Sequence, residues 1–326
     1  MDNGNKMPAT AAVKSKGWKS WSTKKKFFTL FLVVLILVAL AVGLGVGLGL
    51  GLKNNGGSGE GSEPTPSAPA PTTTPTGNNT EFWKPSAGTT WQIELLYTLN
   101  DTSVDVEVYD IDLFNSGADL ISGLQKDGRK VICYFSAGSW ENWRPDAGNF
   151  SSADLGGTLD GWPNEKWLNI SSSSVRDIMK TRLDMAYDKG CDGVDPDNVD
   201  GYSNKENGLG LTQEDSIDYV NFLASEAHSR NMSIGLKNAG EIIDSVIDNM
   251  EWSVNEQCAQ YNECDTFMPF TDANKPVFHI EYPKDDTNNN KVVTTSQKNA
   301  ACKFNGSGKF STIIKNMDLD NWIETC

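Results

Sequence analysis

Between Glu81 and Cys326, short apolar segments of strand type recur eight times, and this recurrence restricts the fold more than any other feature of the chain. Strands are expected at residues 90–95, 106–111, 130–135, 193–195, 233–237, 252–256, 277–281 and 310–315. Two of the intervening stretches carry a clear helical period. Val175, Ile178, Met179, Leu183 and Ala186 share one face, and Ile217, Val220, Leu223, Ala224 and Ala227 share another. Gly190 and Asn231 follow them as stop signals. Strands alternating with helices imply a parallel sheet, and eight such units in roughly 245 residues predict an α/β fold closed into a (β/α)8 TIM barrel. The alternative is an open doubly wound sheet.

The residues ahead of this domain obey different rules. Phe27 to Leu52 is an unbroken run of apolar residues, glycines and one Thr, long enough as a helix to cross a hydrocarbon core. Lys14, Lys16, Lys19 and Lys24 to Lys26 precede it and only Lys53 follows closely, a bias that keeps the amino terminus cytosolic. A cleaved signal peptide is the alternative, but the run is long for that and starts late. Residues 53–80 are rich in Gly, Ser, Pro and Thr and read as an extended stalk that cannot bury a core. The expected organisation is a cytosolic basic tail (1–26), a transmembrane helix (27–52), the stalk and a barrel at 81–326. That makes a single-pass type II membrane protein with its ectodomain outside the cell, at the plasma membrane in preference to the Golgi. Six Asn-X-Ser/Thr triplets, at Asn78, Asn100, Asn149, Asn169, Asn231 and Asn305, suit a secretory route. So do six cysteines. Cys258 with Cys264 and Cys302 with Cys326 are plausible pairs, whereas Cys133 and Cys191 read as buried thiols.

Charge and motif content narrow the chemistry. The chain carries −15 overall, while residues 1–53 hold eight Lys against one Asp, so the remainder carries −22. Such a surface repels nucleic acid and favours cationic partners or plain solubility. Two histidines are too few for a multi-histidine zinc site, and nucleophile-elbow, Walker and dinucleotide motifs are missing. Nothing calls for a cofactor or a metal, and what remains is carboxylate chemistry. The segment Gly190-Cys-Asp-Gly-Val-Asp-Pro-Asp-Asn-Val-Asp-Gly-Tyr202 holds the densest set of acids. Alternation sends Asp195 and Asp197 to one face of the strand, and Pro196 is expected to end it with Asp197 at the carboxyl-terminal mouth. Glycosidic bonds require one carboxylic acid to protonate the leaving oxygen and one carboxylate to attack or activate water. Glu256, ending Trp252-Ser-Val-Asn-Glu256, is the best second acid, with Asp110, Asp112 and Glu281 as further candidates. The plainer readings are a turn and cap cluster for Asp-Pro-Asp-Asn, an ion pair of Glu256 with Lys237, and a core role for Tyr134 and Trp140.

These motifs, with Val131-Ile-Cys-Tyr-Phe-Ser-Ala-Gly138, Gly235-Leu-Lys-Asn238 and Val254-Asn-Glu256, resemble glycoside hydrolase family 114, the endo-α-1,4-polygalactosaminidases, over nearly the whole ectodomain. Fungal members are similar in their amino-terminal anchor and stalk. The resemblance implies a (β/α)8 barrel that cleaves α-1,4-linked galactosamine with an Asp after strand four and a Glu after strand six. Matching the motifs places these on Asp197 and Glu256, with Asp195 at a position that varies. Retention, with Glu256 as acid and base and Asp197 as nucleophile, is the expected course. A galactosamine polymer is polycationic, so Asp110, Asp112, Asp195 and Asp200 are expected to contact ammonium groups. Tyr134, Trp140 and Tyr202 are expected against sugar rings, and Lys237 and Asn238 belong to the same site. A cell-surface lectin, or a glycosidase or transglycosylase for another α-linked glycan, is the competing reading.

Overall fold

The computed structural model describes residues 82–284 and 291–326. The expected tail, transmembrane run, stalk and the Asn78 triplet lie outside them. Among the described residues no helix is long and apolar enough to cross a membrane.

The chain forms β1 (Trp91–Glu94), β2 (Val108–Asp112), α1 (Ala118–Lys126), β3 (Lys130–Ser136) and β4 (Ser139–Glu141). Then come β5 (Leu155–Leu159), β6 (Trp162–Leu168), α2 (Ser173–Lys189), β7 (Gly193–Asp197), α3 (Gln213–Ser229) and β8 (Ser233–Lys237). It continues through α4 (Ile243–Val246), β9 (Trp252–Glu256), α5 (Cys258–Tyr261), α6 (Met268–Asp272) and β10 (Val277–Glu281). The last elements are α7 (Thr295–Cys302), β11 (Ser311–Lys315) and β12 (Ile323–Thr325). Among the described residues the main sheet runs β1-β2-β3-β7-β8-β9-β10-β11-β12, parallel except where β12 pairs with β11. The eight expected strands are all present in it. Trp91 Nε1 donates to the Ser311 carbonyl at 2.8 Å, and Ser311 Oγ donates to the Thr89 carbonyl at 2.6 Å, so side chains draw β1 against β11. The result is TIM-barrel-like.

Three local differences from expectation have physical causes. The β7 strand continues through Pro196 to Asp197, because its register with β8 ends at Val194 and no β8 carbonyl awaits the N–H that proline lacks. Residues 95–107 pass from β1 to β2 without a helix. Finally, β4, β6 and β5 form a separate antiparallel sheet inserted after β3, turning at Asp160-Gly161 between the paired Leu159 and Trp162. The patterned helices are present, each buried along its apolar face. Gly190, left-handed at φ 86°, ends α2, and a reciprocal Thr212–Asp215 capping box opens α3.

The barrel interior is layered. Trp91, Trp252 and Phe278 fill one end, where a Cβ on Gly235 would lie 1.9 Å from Trp252 Nε1, so only glycine admits the indole. The other end is charged. All six cysteines are disulfide-bonded, in the pairs Cys133–Cys191, Cys258–Cys264 and Cys302–Cys326. The first pair corrects the reading of Cys133 and Cys191 as thiols. Parallel pairing of β3 with β7 brings their Cα atoms to 6.0 Å, a proximity that the 58-residue separation conceals.

Candidate active site

At the carboxyl ends of β7, β8 and β9, Asp197, Lys237 and Glu256 project into one cavity of about 900 Å³. Lys237, only 2 % exposed, is its central cation, with Nζ 3.2 Å from Asp197 Oδ2, 3.6 Å from Glu256 Oε2 and 3.8 Å from Asp195 Oδ2. Asp197 also accepts from the Tyr134 hydroxyl at 3.0 Å and from the Asn198 N–H at 2.7 Å. Glu256 accepts from Tyr282 at 2.5 Å and from Asn238 Nδ2 at 3.1 Å. Burial pushes the Glu256 carboxyl up, but Lys237, Tyr282 and Asn238 together outweigh it and hold the group below its ordinary range. Asn198, Asn238 and Gln257, each directly after Asp197, Lys237 or Glu256, are left-handed with φ of 60°, 48° and 65°. Backbone held in that region at three successive strand ends turns the chain sharply and aims the preceding side chains inward.

Below this layer, Asp110 and Asp195 are fully buried against each other. Burial first, and then the mutual charge of the pair, raises Asp110 well above the carboxylate range; burial also pushes Asp195 up to about 7. Asp112 lines the cavity but is held at 2.7 Å by Arg144, which also binds Glu141. On the wall, burial pushes Glu165 up to about 7 and Asp200 up to about 6. Ser139 Oγ donates to Glu165 at 2.8 Å, and Asn198 Nδ2 donates to Ser139 at 3.0 Å, which links Glu165 to the residue after Asp197.

Of the residues expected in the site, Asp112, Tyr134, Asp197, Asp200, Lys237, Asn238 and Glu256 line the cavity. Asp110, Trp140, Asp195 and Tyr202 do not, which corrects their expected contact with substrate. Asp110 and Asp195 sit one layer too deep, since the strand period that aims Asp197 at the mouth puts Asp195 beneath it. Trp140 packs on the core and donates to the Ala147 carbonyl at 3.0 Å, and Tyr202 packs partly on the core with its hydroxyl donating at 2.9 Å to Glu241, which lines the cavity. Glu281 faces out of the barrel, accepting from the Ala259 N–H at 2.8 Å.

Sequence reasoning missed Tyr282, Arg144, Glu165, Glu241 and the exposed rim aromatics Trp143, Trp162 and Tyr261. One signal was legible, because Asp160-Gly161 between apolar residues marks a two-residue hairpin and would have placed Trp162 at its tip. A metal finds no ready ligands in the closest His/Cys group among the described residues, Cys258, Cys264 and His279, because both sulfurs are spent in a disulfide.

The model of glycoside-hydrolase family GH114 matches residues 72–326. Among solved structures, Aspergillus fumigatus Ega3 in complex with galactosamine is 71 % identical, with a TM-score of 0.74, over 77 % of this chain and 100 % of that one. The glycoside hydrolase domain of PelA from Pseudomonas aeruginosa shares the fold at 11 % identity and a TM-score of 0.53, over 72 % of this chain and 98 % of that one. No curated protein sequence matches the chain.

Proposed function

The chain belongs to glycoside hydrolase family GH114, and we propose that it cleaves α-1,4-linked galactosamine polymers internally, with Asp197 and Glu256 as the reacting carboxylates. The observation that carries this reading is the single ammonium of Lys237 touching both acids at the floor of an open cavity. Their nearest oxygens can be no farther apart than the sum of the two contacts, about 6.8 Å. That limit favours retention, for which carboxyls stand about 5 Å apart, over inversion, which needs roughly 6.5–9.5 Å.

In this scheme Asp197, oriented by Tyr134, Lys237 and the Asn198 N–H, attacks the anomeric carbon while Glu256 protonates the leaving oxygen. Glu256 is held ionised in the free protein, so bound sugar must raise it. Covering a side chain that is 25 % exposed acts in that direction. Once Asp197 is glycosylated its negative charge is gone, Glu256 loses its proton more readily, and it can activate water as a base.

The cavity walls suit an amino sugar. Glu165 and Asp200 line the cavity with no cation of the described residues in salt-bridge contact, and Ega3 is seen with galactosamine. Ammonium groups of a polymer would supply the missing charge and draw it to the cleft, an attraction that salt screens. We further propose that the apolar run at 27–52 is a type II membrane anchor, on its length and the lysines that precede it. Three disulfides and the exposed acceptors Asn100, Asn149, Asn231 and Asn305 support an oxidising, extracellular setting for the barrel.

The test is incubation with partially deacetylated α-1,4-galactosaminan, measuring new reducing ends for wild type, Asp197→Asn and Glu256→Gln. Oligosaccharide release by wild type, lost in both folded variants, is expected. Tight binding without cleavage would turn the reading into that of a lectin for cationic glycans.

A further inference from the structure

Beneath Lys237 lie two carboxyls that this scheme does not use. Asp110 on β2 and Asp195 on β7 are both 0 % exposed and face each other in the barrel interior. Among the described residues no donor group satisfies any of their four oxygens. Two bare anions in contact cannot persist in a dry interior, whereas one proton between them converts repulsion into a hydrogen bond. The position of Lys237 decides which member keeps the proton. Its Nζ stands 3.8 Å from Asp195 Oδ2, so the anion is favoured on Asp195.

We propose that Asp110 stays protonated and donates to Asp195, and that the Asp195 carboxylate so held seats the Lys237 ammonium between Asp197 and Glu256. Asp110 and Asp195 are then positioning residues, acting on the reaction only through Lys237. The groups facing the pair are Lys237 from β8, Asp197 from β7 itself, Glu256 from β9, and Tyr134, the register neighbour of Asp195 on β3. Asp112 stands one layer above on β2 and is occupied by Arg144. Lys237 also lies 5.2 Å from the Tyr134 ring centre, so ring, carboxylate and ammonium pack as one unit. This inference rests on Asp197 and Glu256 being the reacting pair. The burial-driven rise of Asp195 to about 7 means that its charge is present on the alkaline side, where its removal is felt most.

The experiment joins two readouts on the whole protein. The first is the pH profile of kcat/KM on partially deacetylated α-1,4-galactosaminan for wild type and Asp195→Asn. The alkaline limb should move down by about one pH unit, because Lys237, no longer drawn toward an Asp195 anion, pairs more fully with Glu256 and holds it lower. A merely structural role would lower the melting temperature and the amplitude and leave the limb in place, and that result overturns the proposal. The second is the infrared stretch of a protonated carboxyl. Wild type should keep such a band at about pH 8, and Asp110→Asn should lack it. A wild-type spectrum without a persistent band also overturns the proposal, whether or not either variant folds. If wild type cuts no polymer, the functional reading fails, yet the infrared band still decides where the proton resides.

Discussion

Replacing Lys237 with Met keeps an unbranched stem and deletes the one ammonium that three carboxylates share. One unit charge at 3.6 Å, the distance to Glu256, is worth roughly 4–5 kcal/mol at an effective dielectric of about 20. That corresponds to at most about three pH units, and water around a side chain that is 25 % exposed reduces it to about one or two. In wild type the folded Glu256 carboxyl lies below its ordinary value, since Lys237 and its hydrogen bonds overcome burial. The group therefore contributes stability above the ordinary carboxyl range and loses it as pH falls through the folded value. In Lys237→Met burial dominates, the folded value rises above the ordinary one, and the contribution reverses: it is present at low pH and lost as pH climbs. Removing one partner of a buried pair costs about 3–5 kcal/mol. For a domain of this size that lowers the melting temperature by about 6–20 °C near neutrality. Calorimetric melts from about pH 4.5 to 8 should show the gap widest at the alkaline end and closing in acid. Activity should fall at least about a hundredfold. A melting curve that stays parallel to wild type across this range would mean that the lysine holds no ionised carboxylate, contrary to this account.

Other perturbations test other parts of the structure. A Cβ on Gly138 would stand 1.7 Å from the Asn198 carbonyl oxygen, so Gly138→Ala must displace the residue after Asp197. A cost of about 1–3 kcal/mol in chemical denaturation and a kcat loss of about a hundredfold are expected. Opening Cys133–Cys191 with paired Ala substitutions frees a span of 58 residues, and urea melts should show a loss of about 4 kcal/mol. Trp162, 55 % exposed at the hairpin tip on the cavity rim, offers its face to an ammonium-bearing ring. Trp162→Ala should raise KM for long polymer by about three- to tenfold and leave kcat nearly unchanged.

Much of this protein was legible before any coordinates. Residues 233–237, 252–256 and 277–281 coincide with β8, β9 and β10, since a short apolar run bounded by turn residues is a local signal. The helix faces through Met179 and Leu223 followed from periodicity alone, and both are fully buried. Asp197, Lys237, Asn238 and Glu256 were all named from strand-end motifs, and the structure brings them together. Trp140 and Tyr202 were misplaced, because a side chain one position from a strand end, as Trp140 is, can face either cavity or core, and Tyr202 sits in a short helical turn past β7 where strand alternation gives no direction. The hairpin carrying Trp162 is marked in the residues by Asp160-Gly161, but its strands pair with each other and add nothing to the barrel, so a pattern of eight barrel strands leaves it out.

The eight barrel strands, their alternation and the placing of acids at their carboxyl ends are written in the local sequence, because backbone preference and side-chain alternation act within a few residues. Only the tertiary structure decided what each acid does. Asp195 and Asp197 are two residues apart on one strand and chemically identical, yet one is sealed against Asp110 and the other opens on the cavity beside Tyr134 and Lys237. Burial and the company of charge are set by neighbouring strands brought in from Asp110 to Glu256, and electrostatics in a low-dielectric interior depends on those distances rather than on position along the chain.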